Sequence, residues 1–257
     1  MEISLKTYNL PQTIEVTIET KSPQKICIIA RDFNNEKTLF IDRFMVINGK
    51  KKLDIMLPLS PEKMLITIYN DKNGKIKNDD SFTVKKSSFS RKKLNTKLSV
   101  VGLENKKIRS FIKFANSFCF NASYLKPNTY RSCDKYFFIE YLDKILDQNG
   151  NTLNTPARIN KETGEIQVSK SSFVPLTVPE RMIILLHEFS HFNINDDIDN
   201  ESEADLNALL MYLGLGYPRI EASSAWIDVF YNSNNENNIE RYKIIEKFIS
   251  DFENNKI

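Results

Sequence analysis

Pro179-Glu180-Arg181-Met182-Ile183-Ile184-Leu185-Leu186-His187-Glu188-Phe189-Ser190-His191-Phe192 reads as one apolar helix carrying a His-Glu-x-x-His core. Four residues are close to one helical turn, so His187 and His191 present their imidazoles from one face and can reach a single metal ion. Glu188, next to the first histidine, points off that axis yet stays within reach of a water at the metal, where a general base belongs. The plainer alternative is a buried amphipathic helix whose histidines are only hydrogen bonded. The chain holds 2 histidines in all, and that alternative leaves their spacing, with a glutamate after the first, to coincidence.

An open zinc site takes three protein ligands and keeps a fourth position for water. With no third histidine in the sequence, the remaining ligand must be a carboxylate or come from another chain. The stretch Asn193 to Asp205 is dense in carboxylates. From Asn200, an N-cap residue type, Glu201 to Leu213 is predicted to be a helix with Leu206, Leu209, Leu210 and Leu213 on its buried side. Glu201 and Asp205 share a face, whereas Glu203 is turned about 200 degrees from Glu201. Glu201 is therefore the expected third ligand, with Asp197 in the preceding loop as the alternative. Asp205 is then placed to accept the second N–H of a ligating imidazole. The same acids could also form a solvated loop and a first helical turn favoured by the helix dipole, with no metal.

These residues resemble the zincin metallopeptidases, and among them the glutamate zincins, whose second motif, Glu-x-x-x-Asp, reads here Glu201-Ser202-Glu203-Ala204-Asp205. The resemblance implies Zn2+ as cofactor, His187, His191 and Glu201 as its ligands, Glu188 as catalytic base, and hydrolysis of peptide bonds in a protein or peptide substrate. Nine residues separate His191 from Glu201, fewer than these families usually show, so the connection must turn tightly. A competing metzincin pattern would put Ile194 at a glycine and Asp197 at the last ligand. Isoleucine is a poor substitute for a residue that lets the chain turn.

At 257 residues, 41% of them hydrophobic, the chain has room for one large or two modest domains. Met1 to Lys6 has neither a basic start nor an apolar run, and no stretch approaches the length of a membrane span, so the expectation is a cytoplasmic chain without an export signal. Cys27, Cys119 and Cys133 are odd in number and widely spaced, which suits reduced thiols used as small apolar residues.

Residues 1–85 carry short alternating runs of β-formers. Ile14, Val16 and Ile18 alternate with polar neighbours, Leu53, Ile55 and Leu57 repeat the pattern, and further strands are expected at 25–31, 37–47, 64–70 and 81–85. Asn48-Gly49 and Asn73-Gly74 are predicted hairpin turns. Strands at this spacing predict a small β-sandwich with a docking role. Lys85 to Lys97 holds six basic residues and no acidic one, and 86–97 reads as a solvated basic linker rather than a nucleic-acid arm. Taking those six from the net charge of +3 leaves −3, so no broad basic face is implied.

Residues 98–257 are expected to form the zincin-like metal domain, which makes the whole an α+β chain. Leu103 to Phe120 reads as a helix with Ile108, Phe111, Ile112, Ala115 and Phe118 along one side. Thr155 to Ile159 and Glu165 to Ser169 read as strands, the latter in the position where zincins pair a strand with extended substrate. Thr177-x-x-Glu180 is a capping box for the metal helix. Gly214 to Pro218 breaks the chain before two further helices, 218–231 and 237–253. Tyr212, Tyr217, Arg219 and Tyr231 follow the motif and read as packing or surface rather than as donors to a substrate. The order of β-domain, basic run and short zincin-like domain also resembles, less specifically, virion components from the tail or portal region of crAss-like phages. That resemblance implies an alternative: a homo-oligomeric structural protein carried in a virion, docked to other assembly proteins through its β-domain, with limited or no catalysis.

Overall fold

The computed structural model describes residues 1–76, 79–231, 236–254 and 256, which form an α+β chain of two compact units, Met1–Asn95 and Thr96–Ile257. The first unit is an antiparallel sheet of β1 (Glu2–Lys6), β2 (Gln12–Asp32), β3 (Leu39–Leu57), β4 (Lys63–Asn70), β5 (Phe82–Thr83) and β6 (Ser90–Lys92). Its order is β1-β4-β2-β3, and β5 and β6 also pair with β2.

The stretches expected as separate short strands are fused. Those around Ile14–Ile18 and at 25–31 are one strand, β2, and those at 37–47 and 53–57 are one strand, β3. Asn48-Gly49 is therefore not a hairpin turn but lies inside β3, where Gly49 pairs with Thr20. A positive φ serves a bulge as well as a turn, and Gly49 takes φ +74 beside the register jump between Thr20 and Gln24. Pro23, which has no N–H to donate, falls among the unpaired residues of that jump. Asn73-Gly74 does turn the chain, with the Gly74 N–H donating to Asn70 O at 2.8 Å. The alternation is real: Ile14, Val16, Ile18, Ile26, Ile28, Ile55, Leu57, Ile66 and Ile68 are all buried.

The basic run is not a free linker. Ser90–Lys92 forms β6 on Thr13–Glu15, Lys92 ion-pairs with Glu15 and reaches Asp54, and Leu94 is buried. Lys92 thus balances acids of β2 and β3, and the first unit runs on to Asn95. Lys97 belongs to the second unit, its N–H donating to Gly214 O at 2.8 Å and its Nζ to Phe252 O at 2.7 Å.

The second unit opens with α1 (Lys106–Asn121), capped by Asn105 and burying Phe111, Ile112, Ala115 and Phe118. A four-stranded sheet follows from β7 (Asn128–Arg131), β8 (Phe138–Leu142), β9 (Ala157–Ile159) and β10 (Ile166–Ser169), in the order β7-β8-β10-β9. The central pair is parallel and the outer pairs antiparallel. The strand expected along the cleft, 165–169, is thus interior as β10. The hairpin through Asn160 and Gly164 folds β9 back onto it, and β9 becomes the edge.

A single turn, α2 (Lys170–Phe173), leads into α3 (Val178–Asn193), the helix of His187 and His191, which starts at the capping box of Thr177 and Glu180. Phe189 of α3 stacks on Phe111 of α1, ring centroids 4.1 Å apart. Arg181 is fully buried, its guanidinium donating to Phe173 O at 3.1 Å, Cys119 O at 2.8 Å and Val174 O at 2.5 Å. It donates to carbonyls near the ends of α1 and α2, and so ties the start of α3 to both. The helices α4 (Glu201–Gly214), α5 (Arg219–Tyr231) and α6 (Glu236–Glu253) complete the unit. Among the described residues, no helix is long and apolar enough to cross a membrane.

Candidate metal centre

Helix α3 presents His187 and His191 one turn apart with their rings nearly perpendicular, and the two Nε2 atoms stand 3.1 Å from each other. Glu201, the first residue of α4, brings Oε2 to 3.4 Å from His187 Nε2 and Oε1 to 3.5 Å from His191 Nε2. The ligand atoms of these three side chains lie within 4.8 Å of one another and can hold one metal ion. The three expected ligands are therefore brought together.

Asp197 is not among them. It is exposed, its Oδ1 accepts the Asp199 N–H at 3.0 Å, and it shapes the loop rather than the site. The connection is as tight as nine residues demand. The Asn195 N–H donates to Ser190 O at 2.9 Å and its Nδ2 to Asn200 O at 2.9 Å, while Glu203 Oε1 accepts the Asp196 N–H at 2.9 Å. Asn200 caps α4 by accepting from the Glu203 N–H. Glu203, facing away from Glu201 on the helix, is thus spent on holding the loop.

Around the ligands stands a layer of orienting groups. His191 Nδ1 lies 2.8 Å from Ile198 O, which places the ring hydrogen on Nδ1 and leaves Nε2 as the metal-facing lone pair. Asp205 is buried, with Oδ1 3.0 Å from His187 Nδ1 but off the line of the ring N–H, so the pairing is one of charge more than a straight hydrogen bond. Asp205 also accepts from Trp226 Nε1 at 3.0 Å and from Arg241 Nε at 2.8 Å. The same guanidinium reaches Glu201 Oε2 at 3.4 Å. Asp205 faces inward because α4 buries Ala204, Ala208, Leu209 and Tyr212, not the full leucine stripe expected; Leu206 and Leu210 are half-buried.

Trp226 and Arg241 escaped the sequence reading. They contact Asp205 across 21 and 36 residues, and nothing local in α5 or α6 marks them. Tyr212 and Tyr217 are core residues whose hydroxyls donate to Pro218 O and Asn116 Oδ1, and Arg219 pairs with Glu253. The side chain of Tyr231 lies outside the described residues.

Charge is concentrated at this point. Burial works against the His187 imidazolium, but its contacts with Asp205 and Glu201 outweigh that and push its pKa up to about 10. Contacts with His187, then His191, hold Glu201 well below the usual carboxylate range. Burial raises Glu188, partly offset by the two histidines and by a hydrogen bond from the Ile159 backbone. Glu188 borders a pocket of about 300 Å³ whose walls include Ala157 and Ile159 of β9, Ile183 and Ile184 of α3, and Trp226 of α5. The arrangement offers a three-ligand metal position, a carboxylate beside it that is not among those ligands, and a strand edge along one wall. No protein-family model matches the sequence, and no curated protein matches it.

Proposed function

We propose that the chain is a zinc-dependent metallopeptidase in which His187, His191 and Glu201 hold the ion and Glu188 is the general base. The observation that carries this reading is the spacing of the three ligand atoms, 3.1, 3.4 and 3.5 Å. Four-coordinate zinc with bonds of about 2.0–2.1 Å has ligand–ligand edges of about 3.3–3.4 Å, so the side chains fit that ion with little movement. When bound, zinc supplies the Lewis acidity that polarises a scissile carbonyl and acidifies a water. Glu188 accepts the water proton on its carboxylate and returns it to the leaving amine. Burial, which raises its pKa, makes this carboxylate a readier proton acceptor than an exposed one. Along β9, the strand bordering the pocket, an extended peptide can be held by main-chain hydrogen bonds. Elemental analysis of the purified protein, together with cleavage assays on a peptide mixture, tests the reading. About one zinc per chain and cleavage lowered by about 10²–10⁴-fold in Glu188→Gln are expected. Absence of zinc, even after addition of the ion, overturns it.

A second reading, a virion assembly part in which the metal fold is limited or silent in catalysis, is favoured by β3. This 19-residue edge strand leaves Phe44 47% and Val46 67% exposed, a combination that unassociated proteins usually cover. Sedimentation of the full chain separates the readings: an assembly part associates, whereas the first reading is satisfied by a monomer that cleaves peptides.

A further inference from the structure

We propose that Arg158 selects peptides carrying an aspartate or glutamate beside the cleaved bond, an inference that rests on the metal pocket being a peptide site. Strand β9 is outermost in its sheet. The Asn160 N–H donates to Glu165 O at 2.8 Å and Pro156 O accepts the Ser169 N–H at 2.9 Å, so residues 156, 158 and 160 turn their backbone toward β10. By antiparallel alternation, Ala157 and Ile159 turn theirs to the open edge. Those edge groups are held meanwhile by local partners, the Thr155 hydroxyl on Ala157 O at 2.6 Å and Glu188 on the Ile159 backbone.

A peptide strand added antiparallel at this edge places one residue opposite Arg158 in a non-hydrogen-bonded pair. In such a pair the side chains approach most closely and share one face of the sheet. Among the described residues, three cations border the pocket, Arg158, Lys161 and Arg241. Lys161 is paired with Asp199 at 2.6 Å and Arg241 with Asp205 at 2.8 Å. Arg158 is exposed, and among the described residues its partner is neutral: Nε donates to Gln167 Oε1 at 2.7 Å, and Gln167 Nε2 in turn donates to Glu140 at 2.5 Å. The guanidinium is thereby oriented through one N–H while its Nη groups remain for a carboxylate, the bidentate partner that its geometry fits. A glutamine in the peptide offers that fork one oxygen without charge, and a lysine repels it.

The test uses the full-length, zinc-loaded Glu188→Gln protein and fluorescent peptides that differ only by Glu, Gln or Lys at successive positions, with binding read by anisotropy. At one position glutamate should bind about five-fold tighter than glutamine, the scale of an exposed ion pair. That preference should vanish in an added Arg158→Gln and turn toward lysine in Arg158→Glu, with zinc content unchanged, while Lys161→Gln keeps it. Peptides that bind with no acidic preference, or with a preference that survives Arg158→Glu, overturn the role of Arg158 and leave the peptidase reading standing. Peptides selected through Arg158 but never cut by the unmutated protein support the selection and overturn the catalysis. If no peptide binds or is cut, both fall together.

Discussion

Zinc binding near pH 7.5 should expel about one proton from the site, because a ligating imidazole must be neutral. In the metal-free protein His187, only 17% exposed, sits 3.0 Å from Asp205 and 3.4 Å from Glu201, which hold its pKa up to about 10. Its ring is therefore charged at neutral pH, and one proton must leave for each ion that enters. Every pH unit below that pKa weakens zinc about tenfold, or about 1.4 kcal/mol, so affinity should rise about 100-fold between about pH 6.5 and 8.5 from this residue alone. Calorimetric titration with zinc at one pH, in buffers of different ionisation enthalpy, counts the protons directly. Competition against a chelator across pH gives the slope. Asp205→Asn removes the largest support of the charged ring, so its proton count near neutral pH should fall below that of the unmutated protein. A zinc affinity flat with pH from about 7 to 9, with no proton released, would refute the reasoning and make the Asp205 contact an orienting one only.

Glu188→Gln should keep zinc while peptide hydrolysis falls by about 10²–10⁴-fold, whereas Glu201→Ala should lose the metal and Asp197→Ala should retain it, as read by zinc content after dialysis. Arg181→Met takes the guanidinium from the buried carbonyls at Cys119 and Val174, while Phe173 O keeps the Leu176 N–H at 3.2 Å. At about 1–3 kcal/mol for each of these two groups, the cost should be about 2 kcal/mol or more, a fall in Tm on the order of 5 °C measurable by calorimetry. For the metal-free protein the stability profile has a definite sign. The raised pKa of His187 gives stability that is full below about pH 6.5 and is lost as pH climbs through the folded value of about 10. The depressed pKa of Glu201 gives stability present above its ordinary value of 4.5 and lost as pH falls below it. Melting temperatures in chelator should therefore decline from about pH 7 toward 10, and a rise over that range would contradict the assignment.

What could be read from the sequence was local. The capping box at Thr177, the N-cap at Asn200, the four-residue spacing of the histidines and the apolar face of α1 are decided by residues within one or two turns of each other, and each appears as expected. What could not be read is set by distant partners. β6 is three residues of serine and charge with no apolar alternation, and it is a strand only because Thr13–Glu15 offers an unpaired edge. Gly49 can take a positive φ in a turn or in a bulge, and the choice falls to the partner strand, which pairs Thr20 with it and then skips to Gln24. The position of β9 at the sheet edge follows from the hairpin at Asn160 to Gly164. Two strands in sequence order do not reveal which of them will be covered.

The same division runs through the metal centre. Glu201 and Asp197 are both acids a few residues beyond His191, and composition cannot choose between them. Helix geometry can, because the Asn200 cap fixes where α4 starts and so where Glu201 points, while Glu203, held by the same cap, reaches back to the Asp196 N–H. Asp197 is then left on a loop whose own hydrogen bonds engage its carboxylate. The three side chains that could hold a metal ion can thus be picked out within 15 consecutive residues, His187 to Glu201. Their tuning could not, since Trp226 and Arg241 converge on Asp205 from two later helices. The chemistry open to the site is written in the short motif, and how firmly His187 is charged and aimed depends on packing that the motif does not contain.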